Sequence, residues 1–320
     1  MEVLIIGGTR FLGKILSQKF ILKKKISLTV LSRNPVVQDY GCNFIQMEKK
    51  EGLKKLKGTF FNLIFDFLAY EENDILEINK NLLFSKYILI STTWINKLNP
   101  KTSIDELITN LDQNSMNYLN STTKNYLLGK RRAENKLFDL FDKENFNIVR
   151  LPIFFGNNDH TKRFSFYLSR LMNNDPLILV DSGENFCQIA NVEDLAKGLF
   201  LFSEKINTKE VIINALPHKG IKVKEFIKLM MKSVNSKSRL IKIEKTMIQK
   251  VFPEYLDNDP LWAENSIDIG ENNIFKIFDF KSTENEKWIK QLTSTIDNNY
   301  FPPKELKKKE IDFINKVNFS

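Results

Sequence analysis

The chain has 320 residues, 42% of them apolar, with 26 phenylalanines and a formal net charge of +9. That length excludes one small domain and accommodates one large or two fused domains. Two cysteines, Cys42 and Cys187, make no disulfide framework, and with two isolated histidines, His160 and His218, no metal-ligand spacing arises.

The positive balance serves an anionic ligand or RNA, and equally results from a solvated lysine-rich surface. No run approaches the ~18 consecutive apolar residues of a membrane span. The N-terminus lacks the charged segment and apolar stretch of a secretory signal. A soluble protein of the reducing cytoplasm is the expectation.

Residues 3–6, Val-Leu-Ile-Ile, are apolar without alternation, which predicts a strand covered on both faces of a parallel sheet. Gly7-Gly8-Thr9-Arg10-Phe11-Leu12-Gly13 follows directly, then a helical stretch over 14–23. Gly7 permits a tight exit from the strand, and Gly13 removes a side chain where helix and sheet would meet. Backbone N–H groups at such a helix start suit a pyrophosphate, so the turn predicts a dinucleotide site.

Further strands are predicted over 27–31, 43–47, 62–68 and 87–90, with helical pieces between them, including 75–83. Strands alternating with helices imply right-handed βαβ units. Residues 99–120 read as a loop with one short helix. A helix is expected to open near Tyr126 and a sixth strand to cover 146–151. Beyond it the rhythm weakens, with a strand over 211–214, an amphipathic helix over 223–234, and a last helix after Pro302-Pro303. The predicted fold is α/β: a Rossmann-type doubly wound parallel sheet over 1–152, to which 188–205 returns, and a smaller mixed α/β substrate lobe over 153–320.

In an open parallel sheet ligands bind beyond the carboxyl ends of the strands. Ser32 and Arg33 end the second strand and offer a hydroxyl and a guanidinium in place of a carboxylate, which matches a 2′-phosphate and favours NADP(H) over NAD(H). Arg10 adds a second positive charge; an exposed loop arginine at 33 would read the same. Tyr126 and Lys130 lie one helical turn apart, and a nearby ammonium lowers a phenol's pKa towards working pH. Ser91-Thr92-Thr93 end the fifth strand with hydroxyls able to reach the same carbonyl. Lys162 and Arg163, after Gly156-Asn157-Asn158-Asp159, suit a substrate diphosphate or are plain surface charge. No Walker A sequence or nucleophile elbow is present.

These residues together resemble the extended short-chain dehydrogenase/reductase superfamily, in its NAD-dependent epimerase/dehydratase branch, and more narrowly the atypical members with a Gly-Gly-Thr-Arg-Phe-Leu-Gly turn. The resemblance runs from residue 1 to about 215. It rests on Gly7 to Gly13, Arg33, Asp66 to Tyr70, Ile90-Ser91-Thr92, Tyr126-x-x-x-Lys130 with Arg131 and Glu134, Arg150-x-Pro152, Phe155-Gly156, Gln188 and 192–196. It implies Tyr126 as catalytic acid/base, Lys130 on the nicotinamide ribose, and Thr92 as the hydroxyl donor with Thr93 as the fallback. Gly7, Thr9, Arg10, Phe11, Leu12, Gly13, Ser32, Arg33, Glu48, Ala69, Lys130 and Pro152 would contact the cofactor. Thr93, Asn158 and Arg163 would face the substrate, and no metal is implied.

The implied activity is NAD(P)-dependent oxidation or reduction of a secondary alcohol or ketone, with 4-epimerisation or reduction of a nucleotide sugar leading. Thr93 and Trp94 stand where 4,6-dehydratases carry an Asp-Glu pair, which disfavours elimination of water. The alternatives are an NADPH reductase of a non-sugar molecule and a non-catalytic RNA-binding member, as in the chloroplast stem-loop RNA-binding proteins of this branch. The sequence lacks the aromatic and basic alternation of single-strand binders, which argues against nucleic acid. Family dimers pair helices beside the Tyr helix, so a homodimer is a further expectation.

Overall fold

The apolar runs of the sequence assemble in the computed structural model, which describes residues 1–35, 41–97, 121–204, 211–216, 220–261, 274–296 and 304–318. The expected loop at 99–120, His218 and Pro302-Pro303 lie outside the described residues. The chain divides into two compact units. One holds Met1–Pro152, Val192–Pro217 and Ile267–Lys281; the other holds Ile153–Asn191, His218–Ser266 and Ser282–Ser320. The return to the first unit therefore starts at Val192, and the second return at Ile267–Lys281 carries no pattern that the sequence reading detected.

In the first unit the elements run β1 (Glu2–Ile6), α1 (Phe11–Ile21), β2 (Ser27–Ser32), β3 (Asn43–Gln46), α2 (Lys49–Lys55), β4 (Phe60–Asp66), α3 (Glu72–Asn81), β5 (Leu83–Thr92), α4 (Ser121–Leu140) and β6 (Phe146–Leu151). A helix, Val192–Glu204, and a strand, Ile212–Asn214, complete it. The sheet has seven strands in the order Ile212–Asn214, β6, β5, β4, β1, β2, β3, and every pairing is parallel. Strand order reverses beside β1, with Ile6 opposite Leu31 on one side and Asp66 on the other. A crevice for a ligand opens at such a reversal.

The lack of alternation in β1 has its cause in two covered faces. Leu4 and Ile6, with Ile64 and Leu89, cluster with Ile75 and Ile78 of α3 and Ala133 and Leu137 of α4. On the other face Phe65 meets Phe20 of α1, which meets Phe200 edge-on at 5.2 Å. Each fully buried aliphatic or aromatic side chain contributes roughly 1.5–3 kcal/mol. Several elements start earlier than predicted, β5 and α4 by the most: β5 begins at Leu83, and α4 is already helical at Ser121, so Tyr126 lies in its second turn.

The second unit has an aromatic core of its own. Phe155 stacks on Phe226 at 5.4 Å and on Trp288 at 6.2 Å, and Phe164 packs beside them. Strand Leu177–Val180 pairs in parallel with Leu240–Ile243, and Arg170 forms a buried pair with Glu310 of helix Lys304–Asn318 at 2.7 Å. Among the described residues no helix is long and apolar enough to cross a membrane.

Candidate functional site

The turn after β1 is built around two glycines. Gly7 has φ 90° and its N–H donates to the Leu31 carbonyl at 2.8 Å, bending the chain off the strand. A β-carbon on Gly13 would come within 2.4 Å of the Gly7 oxygen, so α1 can rest on the turn only without a side chain there. The Ser17 hydroxyl closes the back of the turn, reaching the carbonyls of Gly8 at 3.0 Å and Gly13 at 2.8 Å. Arg10 precedes the helix in extended conformation, no side chain caps it, and its first turn carries no acid. Phe11 and Leu12 point into the core, so the turn offers its backbone together with Thr9 and Arg10. That donor set, with the positive end of α1 behind it, fits a pyrophosphate. The residues present therefore fit a dinucleotide.

At the end of β2 the two predicted residues separate in role. Ser32 is buried and its hydroxyl pairs with Thr9 Oγ1 at 2.7 Å, tying the phosphate turn to the strand. It also accepts the Asn34 N–H at 3.3 Å, so Ser32 braces the turn from within. Arg33 is exposed, and Glu48, just after β3, lies 3.6 Å from its guanidinium. An exposed pair of this kind is weak and leaves both groups accessible to a ligand.

Lys130 is the most deeply placed of the predicted residues, with 2% of its surface exposed. Its ammonium donates to the Ala69 carbonyl at 2.6 Å and to the Ile90 carbonyl at 2.9 Å, bridging the ends of β4 and β5. The Tyr70 ring lies over it with its centre 4.6 Å from the nitrogen. Burial brings the Lys130 pKa down from 10.5 to about 8, against the pull of the Asp66 carboxylate. Ala69 is fully buried, so it meets Lys130 through its carbonyl.

The segment joining β4 to α3 is held from below. Asp66 is completely buried; it accepts the Tyr87 hydroxyl at 2.9 Å and the Leu68 N–H at 2.8 Å, and pairs with Lys49 at 2.9 Å. Lys49 also reaches Asp74 at 3.1 Å and the Leu68 carbonyl at 3.2 Å. Asp74 in turn accepts the N–H groups of Tyr70 at 2.8 Å and Glu71 at 3.1 Å. Gly129 of α4 lies against this segment: a β-carbon there would be 2.4 Å from the Tyr70 carbonyl oxygen. Partial burial, with the Asp66 and Asp74 carboxylates, raises the Tyr70 phenol above its ordinary value.

Tyr126 is partly exposed on α4, and its ring centre lies 6.2 Å from that of Tyr70. Thr92 is half-buried at the end of β5, where its Oγ1 accepts the Trp94 N–H at 3.3 Å. Accepting that bond leaves its hydroxyl proton to donate elsewhere. Thr93 is buried, which distinguishes it from Thr92. One turn below Lys130, Glu134 accepts the Ser91 hydroxyl at 2.6 Å and the Arg150 Nε at 3.0 Å, with a second contact to Arg150 Nη2. This buried group locks α4 to β5 and β6. Pro152 is buried just after β6. Asn158 and Arg163 belong to the second unit: Asn158 is exposed with φ 63°, and Arg163 opens helix Arg163–Met172.

The first unit thus brings Gly7 to Gly13, Ser32, Arg33, Ala69, Thr92 and Lys130 to the carboxyl edge of its sheet, with Glu48 beside Arg33 and Tyr126 beside Tyr70. Sequence reasoning missed Lys49, Asp74 and Gly129, and named Tyr70 only within the Asp66–Tyr70 match, without a role. Gly129, inside the Tyr126–Lys130 spacer, was the one available signal, because a helix-interior glycine marks a close approach.

No protein-family model matches the chain, and no curated protein matches it. Among solved structures, the UDP-glucuronic acid 4-epimerase of Bacillus cereus in complex with NAD is similar over 92% of this chain and 96% of its own, with a TM-score of 0.65 at 12% identity. The UDP-glucose 4-epimerase of Thermotoga maritima with UDP-glucose is similar over 92% and 98%, with a TM-score of 0.64 at 13% identity. The human epimerase family protein SDR39U1 with NADPH is similar over 92% and 100%, with a TM-score of 0.62 at 14% identity. The seven-stranded parallel sheet flanked by helices is the Rossmann-type α/β fold that these proteins share.

Proposed function

We propose that the protein is an NAD(P)-dependent oxidoreductase or epimerase acting on a secondary alcohol or ketone, with a nucleotide sugar as substrate. The observation that carries this reading is the uncapped α1 resting on the Gly7–Gly13 turn beside the strand reversal, with the Lys130 ammonium fixed between the ends of β4 and β5. The first half is a cradle for a pyrophosphate; the second holds a cation beyond strand ends where a ribose and a reacting carbinol would lie. Arg33, exposed after β2, supports NADP(H), with Glu48 as the opposing acid. Two of the similar structures, a UDP-glucuronic acid 4-epimerase and a UDP-glucose 4-epimerase with UDP-glucose, support the sugar, and Asn158 and Arg163 are the residues we assign to it.

A nicotinamide dinucleotide held by the Gly7–Gly13 turn, Arg33 and Lys130 would supply the chemistry of hydride exchange with the carbinol carbon. Tyr126, as phenolate, takes the hydroxyl proton and, as phenol, gives it back when a ketone is reduced. Thr92 donates its remaining hydroxyl proton to the same oxygen. Lys130 keeps a positive charge near that oxygen below pH about 8 and, held by two carbonyls, needs no rearrangement to do so. Reduction and 4-epimerisation use this same set.

The test is turnover of UDP-sugars with NADPH or NAD by wild-type protein and Tyr126→Phe. Loss of the acid/base group costs roughly 10²–10⁴-fold in kcat with coenzyme binding retained. Equal turnover by the two proteins would remove Tyr126 from the mechanism.

A further inference from the structure

The amine of Lys130 has three protons, and two are held by the carbonyls of Ala69 and Ile90. Any ligand oxygen must approach along what remains. Yet Lys130 is 2% exposed, while Tyr70, whose ring covers it, is 46% exposed. The barrier between solvent and the amine is thus a surface side chain.

Tyr70 is held unevenly. Its backbone is fixed: the N–H donates to Asp74, and the carbonyl lies against Gly129 with no room to shift towards α4. Its ring is not. Among the described residues it meets the Lys130 ammonium and the Tyr126 ring, and no hydrogen bond anchors the hydroxyl. Neither the cation–π contact nor the tilted ring contact fixes the hydroxyl or locks the ring's torsions as a hydrogen bond would. Rotation about the side-chain torsions can uncover the amine while the segment joining β4 to α3 stays in place.

We propose that Tyr70 is a positioning residue that controls access to Lys130: its ring covers the amine in the free protein and turns aside when a ligand hydroxyl takes the third proton. The identification of that hydroxyl as a coenzyme ribose rests on the function proposed above. The covered amine is kept dry and its charge is held in one place by the Ala69 and Ile90 carbonyls. The cost is that coenzyme must displace a ring on entering.

Trace acetylation of the full-length, coenzyme-free protein decides this. Acetic anhydride acylates neutral amines, and the peptide carrying Lys130 is quantified against the exposed Lys57 over pH 7–10. In wild-type protein and Tyr70→Phe, which keeps the ring, Lys130 should label at least tenfold more slowly than Lys57. In Tyr70→Ala its labelling, corrected for the fraction of neutral amine, should rise at least fivefold, and its titration should move up from about 8 as water reaches the amine. Circular dichroism confirms that Tyr70→Ala is folded; Tyr70→Ser serves as a second ring-free variant. Slow labelling in folded ring-free protein, or fast labelling in wild type, would overturn the proposal.

A parallel NADPH titration tests the reading on which it rests. Removing the ring should tighten binding a few-fold, with Tyr70→Phe unchanged. Weaker binding by ring-free variants would make the ring a platform for the coenzyme and overturn the displacement step. If no variant binds either coenzyme while labelling responds as expected, the covering role of Tyr70 stands and the coenzyme assignment fails.

Discussion

Gly129→Ala puts the packing around Lys130 to a test of sign. Intrinsic helix propensity alone predicts that replacing a helix-interior glycine by alanine stabilises by about 1 kcal/mol. The geometry predicts the opposite. The new β-carbon would sit 2.4 Å from Glu71 Oε1 and 2.4 Å from the Tyr70 carbonyl oxygen. Glu71 Oε1 ends a flexible side chain and can swing away. The Tyr70 oxygen is backbone, and its segment is tied to Asp74 and, through Leu68, to Asp66 and Lys49. Restoring ordinary van der Waals contact requires a movement of roughly 1 Å, and overpacking of this kind costs about 1–3 kcal/mol. The net expectation is a loss of up to about 2 kcal/mol, accompanied by weaker coenzyme binding as the Ala69 carbonyl is drawn off Lys130.

Gly198→Ala is the control. It lies in helix Val192–Glu204, and its β-carbon would meet Ile274 and Phe275 at 3.7 Å, an ordinary contact. That variant should gain close to 1 kcal/mol. Urea unfolding of both variants beside wild type reads the difference. If Gly129→Ala is stabilised as much as Gly198→Ala, the close approach of α4 to the Tyr70 segment is refuted.

Glu134→Leu leaves the Arg150 guanidinium buried without its carboxylate and strips the Ser91 hydroxyl of its acceptor. Breaking a buried pair in this way costs about 3–5 kcal/mol, read as a lower urea midpoint, whereas a loss below ~1 kcal/mol would show that the group is not holding α4 to β5 and β6. Lys130→Met should change the pH dependence of stability. The folded pKa of Lys130 is about 8 against the ordinary 10.5, so between these values the unfolded chain holds a proton the folded chain has released. Stability should therefore climb with pH across that window in wild type relative to Lys130→Met, by up to about 3 kcal/mol, with the burial penalty complete below pH 8 and gone above 10.5. Parallel stability–pH curves for the two proteins would mean that the amine is not desolvated.

Much of this arrangement is written locally in the chain. The phosphate turn is legible because glycines at 7 and 13 follow an unalternating strand, and β6 is legible as the run Phe146-Asn-Ile-Val-Arg-Leu151 stopped by Pro152. The start of α4 is not: Ser121 to Asn125 are polar and mostly exposed, so no apolar period marks them as helical. The start of β5 is obscured by Ser85 and Lys86, although the Lys86 amine escapes the sheet by donating to the Glu144 carbonyl at 2.7 Å.

The misses at the site have a common origin in contacts between elements. Lys49 meets Asp66 across α2 and β4, and Tyr70 meets Lys130 across sixty residues, distances over which spacing carries no signal. Ser32 was legible as a polar strand end, but its bond to Thr9, which turns it inward, was not. The return of Ile274 and Phe275 to the first unit rests on a four-residue helix too short to show a period.

The most direct measurement of the central claim is fluorescence titration of purified protein with NADPH and NADH, in wild type, Arg33→Ser and Glu48→Gln. The account predicts saturable binding of NADPH in preference to NADH. Arg33→Ser should abolish that preference and Glu48→Gln should widen it a few-fold, since the acid 3.6 Å from Arg33 opposes a 2′-phosphate. Equal or tighter NADH binding would contradict the role of Arg33 while leaving the turn in place. Binding of neither coenzyme would contradict the dinucleotide site itself.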